Sequence, residues 1–438
     1  MSKLGDHIEY VKGFAFKSKD YTETGIPVIR VSNFTDNSID IKDVYHIPKE
    51  RFSEFQKVNL IKDDIVIATV GSWPTNPSSV VGKTIRVPPE ANNTLLNQNA
   101  VRIRSLDKDE QLYFYYVLKD KSFSDYIIST AQGSANQASI TLKSILDYDL
   151  PNIDSKEKRI KIGKTLATYD EKIQLNTQIN QTLEQIAQAL FKSWFIDFDP
   201  VRAKVQALSG GLSLEQAELA AMQTISGKTA EELTALLQEQ PDRYAELAET
   251  AKAFPCEMVE VDGVEMPKGW TFQYLKDVCN IVYGKGLPKT KLTNTGYRVF
   301  GANGVIGYYS EFMYKNPQIL IGCRGTVGQV TVSTPFSFIT NNSLIIEYEN
   351  SLINRYYLEH YLRTLNLKEI SSGSVQPQIT IQNMSGVKLL TPNRETLLLY
   401  EINVKDIYET MYQNQIENEK LTKVRDLLLP KLLNGEIE

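Results

Sequence analysis

From Ile162 onward, covered-type positions return at alternating intervals of four and three: Ile162, Leu166, Tyr169, Ile173, Asn176, Asn180, Leu183, Ala187, Leu190 and Trp194. That is a 3.5-residue repeat, the period of a coiled-coil seam rather than of a globular helix face. Adding 238 to each position gives a second run: Tyr400, Val404, Ile407, Met411, Asn414, Asn418, Leu421, Arg425, Leu428 and Leu432. The pattern predicts two long helices, over about 155–198 and about 393–434. Arg425 is the charged exception, with Val424 beside it to share the contact. "DSKEK" and "PNRE" open the helices with polar or acidic residues, and "LLPKLLNG" predicts a break at Pro430 and a C-cap at Gly435. Each seam carries two asparagines at its middle, Asn176 with Asn180 and Asn414 with Asn418. Buried amides lower stability but fix register. Antiparallel pairing sets Asn176 against Asn418 and Asn180 against Asn414; solvent-facing asparagines on imperfect helices are the alternative.

Ahead of each helix the pattern changes to strand-like runs rich in Ile, Val, Tyr and Thr, such as "DDIVIATVG" (Asp63 to Gly71) and "QILIGCRGTVGQVTV" (Gln318 to Val332). Short helices are predicted at "QLYFYYVLKD" and "INRYYLEHYLRTL". The two regions repeat one another. "LGDHIEYVKG" (Leu4 to Gly13) parallels "LKDVCNIVYG" (Leu275 to Gly284), "NQNAVRI" (Asn97 to Ile103) parallels "TNNSLII" (Thr340 to Ile346), and "GSANQASIT" (Gly133 to Thr141) parallels "GSVQPQIT" (Gly373 to Thr380). The offset falls from 271 at the start to 238 in the helices, so the first copy is longer by the difference, 33 residues.

Between the copies, residues 201–266 are rich in Ala, Glu, Leu and Gln and break at Gly227 and Pro241, which predicts two or three short amphipathic helices. "EMPKGW" (Glu265 to Trp270) restarts globular sequence. The chain's net charge of −5 is uneven: residues 200–266 hold 5 Lys/Arg and 12 Asp/Glu, whereas residues 267–395 hold 13 and 7. The second globule therefore has the basic bias that phosphate contact needs, and the acidic segment does not. Residues 1–150, with 18 and 19, are balanced.

Catalytic patterns fail one after another. "GKT" occurs at Gly82–Thr84 and Gly227–Thr229, but Pro77 and Met222 stand where a phosphate loop needs its first glycine. "GCRGTVG" (Gly322 to Gly328) reads as a β-turn region. "TNPSS" (Thr75 to Ser79) is not the signature of an amino-methyltransferase. His7, His46 and His360 are scattered, and Cys256, Cys279 and Cys323 form no CxxC pair, so no metal site, triad or disulfide framework is expected. With no apolar signal core and no run of 18 apolar residues, a cytoplasmic protein with no membrane partner is expected.

Polar residues cluster instead at the ends of strand runs. In the first globule these are Ser72, Trp73, Asn76, Lys83, Asn97, Gln98, Asn99, Ser134, Asn136 and Gln137. In the second they are Asn303, Arg324, Asn341, Asn342, Ser374, Gln376 and Gln378, joined by Lys285, Lys289, Lys291 and Arg298. Asn and Gln can pair with adenine edges, Arg with guanine, and Lys reaches phosphate. Any single Asn or Gln among them also reads as an ordinary turn residue that caps its own backbone. The repeated Gly-Ser segments can also serve structure by leading each copy into its helix, and residues that differ between copies are the better candidates for reading sequence.

Essentially the whole chain resembles the specificity subunits of type I restriction–modification systems. The resemblance rests on the doubled layout, "TLATYDEKIQLNTQINQTLEQIAQALFKSWFIDFDPVRAKV" (Thr165 to Val205), "AELAAMQTISGKTAEEL", "EMPKGW" and "LLLPKLLNGEIE". It implies an α+β chain in which two mixed α/β target-recognition globules, related by an internal two-fold repeat, are separated by an antiparallel two-helix coiled coil. The expected map is a first target-recognition domain at 1–153, a long helix at 154–199, an acidic helical linker at 200–266, a second target-recognition domain at 267–392 and a second long helix at 393–438. Each globule would read half of a split site in double-stranded DNA, and the helices would dock two modification subunits. S-adenosylmethionine would belong to the modification subunits, and ATP with Mg2+ to restriction subunits reached through the complex. This chain itself would hold no cofactor and no catalytic residue. A coiled-coil scaffold with protein- or glycan-binding globules and a free-standing nuclease are the competing classes.

Overall fold

The computed structural model describes residues 2–437 apart from 36, 75–79, 135–136, 154 and 374–375. Asn76, Asn136 and Ser374 lie outside the described residues. The chain divides into two compact units, Met1–Gln178 with Asn414–Glu438, and Ile179–Gln413.

In the first unit, four antiparallel strands run in the order Ile8–Lys12, Ala100–Ser105, Ile65–Ala68, Thr84–Arg86. A second sheet orders Tyr45–Ile47, Ile26–Ile29, Thr94–Leu96 and Asn59–Leu60, its middle pair parallel. Helices α1 (Gln111–Lys119), α2 (Lys121–Ser129) and α3 (Leu142–Leu146) follow, and α4 (Lys156–Phe195) begins. The run Ile65–Ala68 is apolar throughout because both of its faces are covered. Ile65 and Ile67 face the core that holds α1, whereas Val66 and Ala68 face the core of the second sheet. Helix α1 crosses α4 so closely that a Cβ on Gly163 would stand 2.6 Å from the Tyr113 backbone nitrogen.

The second unit begins with the rest of α4. Four helices come next: α5 (Asp199–Ser209), α6 (Leu214–Ser226), α7 (Ala230–Glu239) and α8 (Pro241–Ala253). The expectation of two or three was too low. Phe198, at φ 57°, turns the chain in the left-handed region and Pro200 sits in the first turn of α5, so the extra helix starts at the boundary that the sequence places near 198–200. The breaks at Gly227 and Pro241 are where the sequence places them: Gly227 ends α6 at φ 67°, and Pro241 opens α8. The "GKT" at 227–229 is thus a helix end followed by Thr229, which caps α7 by accepting from the Glu232 N–H.

Beyond a hairpin (Met258–Val261 with Val264–Pro267), strands Asn280–Tyr283, Ser343–Glu347, Ile319–Gly322 and Val330–Val332 form a four-stranded antiparallel sheet in that order. A second sheet orders Gly304–Tyr309, Tyr297–Gly301 and Ser337–Ile339, its last pair parallel. Helices α9 (Leu275–Val278), α10 (Arg355–Thr364) and α11 (Ile381–Ser385) lead to α12 (Arg394–Leu433). Asn393 caps α12, its side chain accepting from the Thr396 N–H at 2.8 Å. Helix α12 does not break at Pro430: it runs on to Leu433, because Leu429, Leu432 and Leu433 are buried in the first unit's core and hold the turn despite the missing N–H.

The 3.5-residue period separates covered from uncovered positions on both long helices. In the first unit Ile162, Leu166 and Asn176 are buried, while Leu175, off the seam, is 50% exposed. In the second unit Ala187, Trp194, Tyr400 and Val404 are buried, while Ile186 and Leu398 are exposed. Arg425 occupies its seam position itself, and Val424 does not share it, being 41% exposed. The Arg425 guanidinium is neutralised by Asp170, which also accepts from the Tyr116 hydroxyl at 2.6 Å. Asn176 Nδ2 donates to Asn418 Oδ1 at 2.9 Å and to Glu417 Oε2 at 2.7 Å. In the second unit Asn180 Nδ2 donates to the Met411 carbonyl at 3.0 Å, and Asn414 lies half-buried in the first.

Candidate nucleic-acid interface

Each unit gathers three loops by one set of backbone bonds. In the first, strand Ile8–Lys12 runs into Gly13, whose N–H donates to the Ala100 carbonyl at 3.0 Å, and the Phe14 N–H donates to the Leu96 carbonyl at 2.9 Å. A Cβ on Gly13 would lie 2.0 Å from the Asn97 oxygen, so only glycine fits against the turn at 97–99. The Asn99 carbonyl accepts from the Thr69 N–H (2.8 Å), and the Thr69 carbonyl accepts from the Ile140 N–H (2.9 Å). In the second unit the Gly284 N–H donates to Ser343 (3.1 Å) and the Lys285 N–H to Ile339 (2.9 Å), and a Cβ on Gly284 would lie 2.2 Å from the Thr340 oxygen. The Cys323 N–H then donates to Asn342 (2.9 Å) and the Ile379 N–H to Cys323 (3.2 Å).

These bonds explain the repeated Gly-Ser segments. Ile140 and Ile379 are buried anchors. Thr141 and Thr380 cap α3 and α11, accepting from the Ser144 and Asn383 N–H groups at 3.0 and 3.2 Å. The shared Ile-Thr end of each segment is therefore structural.

The loops bring some candidates together and leave others out. Gln98, Asn99, Ser134 and Gln137 are exposed in the first cluster, and Asn97 is half-buried. Trp73 is half-buried and clips the cluster shut, its Nε1 donating to the Ser134 carbonyl at 2.8 Å. Ser72 is buried, and the Lys83 ammonium points to the Phe34 carbonyl at 3.4 Å. In the second unit Arg324, Gln376 and Gln378 line one groove of about 1390 Å³. Asn341 and Asn342 are exposed on the adjoining turn, with Lys285 bridged to Thr340 and Asn303 exposed on its own turn. Lys289, Lys291 and Arg298 do not line the groove.

The sequence reading missed Lys368, Gln329 and Ser371, which line the same groove. The one available signal was "GCRGTVG", which does form the turn expected of it: Gly325 and Gly328 have φ of 78° and 81°, and a Cβ on Gly322 would meet the Thr326 oxygen at 2.2 Å. Burial pushes the Cys323 thiol's pKa up against the pull of Arg324, so it stays a protonated core group. Among the described residues no cluster of His, Cys, Asp or Glu is placed to hold a metal ion, and no helix is long and apolar enough to cross a membrane.

Two loop clusters of one plan, one in each unit, make this a double-headed recognition protein. Residues 1–185 and 267–425 match the family described as type I restriction modification DNA specificity domain. The chain belongs to that family. The HindI specificity subunit of a type I restriction enzyme, from Haemophilus influenzae, is 45% identical over 354 residues, which covers 74% of this chain and 77% of that one. The MjaIX specificity subunit from Methanocaldococcus jannaschii is 25% identical over 330 residues, covering 74% and 68%. Among solved structures, the S subunit of a type I restriction–modification system from M. genitalium shares the fold, with a TM-score of 0.56 at 18% identity over 98% of this chain and 94% of that one.

Proposed function

We propose that this chain is the DNA sequence-specificity subunit of a type I restriction–modification complex. One observation carries the reading: each matched stretch contains one of the two loop clusters, built by the same backbone bonds and filled with different exposed side chains. Two different heads suit two different half-sites, and joining them raises the effective concentration of the second once the first is bound. The long helices act as an antiparallel two-helix coiled coil within an internal two-fold repeat. The contacts of Asn176 with Asn418 and of Asp170 with Arg425 support this, since rising numbers on α4 meet falling numbers on α12.

The domain map is the one set out from the sequence, with 200–266 as an acidic helical linker. The helices dock two modification subunits, through which restriction subunits are reached. Methyl transfer from S-adenosylmethionine and ATP-driven cleavage with Mg2+ belong to those partners, and this chain works as a non-catalytic cytoplasmic subunit. The test is reconstitution. Modification subunits should bind a DNA fragment carrying the target tightly only when this chain is added. Equal, sequence-independent binding with and without it would sink the proposal.

A further inference from the structure

Phe14 and Lys285 stand at the same place in their units. Each follows the close-packed glycine, each makes a parallel bridge (to Asn97 and to Thr340), and each is exposed, Phe14 at 46%. The backbone is the same and the side chains have opposite chemistry. An exposed phenylalanine alone means little. This one adjoins the Asn97–Asn99 turn and belongs to an aromatic shelf. Its ring lies 5.1 Å from both Phe16 and Phe55, and beyond Phe16 the Tyr21 ring stacks on Tyr45 at 4.5 Å. Tyr45 is itself exposed and carries the Arg30 guanidinium 4.2 Å above its ring. Exposed Lys17 and Lys19 follow on the next turn, so the shelf has a cationic rim.

An apolar surface with a positive rim, continuous with a loop of amide side chains, fits the major groove of DNA. Phosphates take the rim, amides take base edges, and an apolar side chain has one specific partner there, the thymine methyl group. We infer that Phe14 is a specificity-determining residue of the first unit that packs against a thymine methyl, at the position where the second unit presents Lys285 to polar acceptors. The inference rests on the DNA-specificity reading above and names what one residue of that site recognises.

The test uses the complex assembled with modification subunits and DNA in which single thymines of the target are replaced by deoxyuridine, which lacks only the methyl. At one position of one half-site, the replacement should weaken wild-type binding about four-fold, the worth of one methyl group withdrawn from water. Phe14→Ala should be insensitive to that replacement and should accept another base there, while the other half-site is unchanged. Phe14→Leu, which keeps an apolar contact and the packing on Phe16 and Phe55, should retain part of the sensitivity. It also covers the case in which the alanine variant melts early. Wild type and Phe14→Leu responding alike to every replacement, with Phe14→Ala unaltered in motif and affinity, overturns the inference, as does a target with no thymine in the affected half-site. A wild-type complex with no sequence preference at all overturns the underlying reading and this inference with it.

Discussion

Asn176→Asp changes one atom group and should unfold the middle of the seam. Asn176 is fully buried, and its Nδ2 donates to two oxygens, Asn418 Oδ1 at 2.9 Å and Glu417 Oε2 at 2.7 Å. The aspartate replaces that donor with an acceptor, so both bonds become contacts between oxygens, one of them carboxylate to carboxylate. Two like charges about 4 Å apart repel by about 4 kcal/mol at an effective dielectric of about 20. Lys172, 3.3 Å from Glu417, offsets part of this, and an uncompensated buried charge destabilises by about 3–5 kcal/mol. At about 2–4 °C per kcal/mol, the melting transition of the first unit should fall by about 6–20 °C at pH 7.5. The introduced carboxyl should titrate above its unfolded value of about 3.9, so the penalty grows as pH rises through that value and saturates above the folded pKa. Asn176→Leu is the control. It removes the unpartnered buried Oδ1 and both donated bonds but adds apolar area and no charge, so it should melt well above the aspartate variant and without that variant's pH dependence. Calorimetry across pH 4–8 measures all three proteins. An aspartate variant within about 1 kcal/mol of wild type at pH 7.5, with no pH dependence of its own, would refute the buried placement of Asn176.

Two further outcomes follow from buried and grooved charges. His360 is stacked on Phe191, and its Nε2 bonds the Tyr408 hydroxyl; burial, aided by Arg363 and opposed by Glu184, pushes its pKa down to about 4. Its contribution to stability is therefore complete above the unfolded value of about 6.5 and is lost as pH falls toward 4, a change of about 3 kcal/mol that His360→Gln should remove from the urea-denaturation profile; a parallel profile contradicts it. In the second unit's groove, Lys368→Ala should lower the salt slope of DNA binding by about one with the motif unchanged, whereas Arg324→Ala should relax one base position and cost about 1–3 kcal/mol; affinity and methylated sites unchanged in both variants would take the groove out of the interface.

Periodicity made the long elements legible. The 3.5-residue spacing marks which residues of α4 and α12 are covered, and aromatic runs locate α1 and α10. What escaped depends on partners far away in sequence. Arg425 looked like a flaw in the seam because Asp170, 255 residues earlier, was needed to neutralise it. Pro430 looked like a stop because the burial that carries the helix past it comes from strands and helices of the first globule. The bond that holds Trp73 in the loop cluster was equally out of sight, since its Nε1 donates to Ser134, 61 residues on. Lys368 carried no local signal at all; it joins the groove only because the Gly-rich turn after Ile319–Gly322 folds beside it, with a Cβ on Gly328 meeting the Lys368 nitrogen at 3.0 Å.

The most direct test of the account is a map of methylated adenines in a host genome that carries the modification subunit with and without this chain. The account predicts a single split motif, two unlike half-sites at a fixed gap, methylated only when the chain is present. Its first half should change when the Asn97–Asn99 turn is exchanged and its second when the Arg324 loop is. Methylation that is absent, continuous in motif or identical without the chain would contradict it.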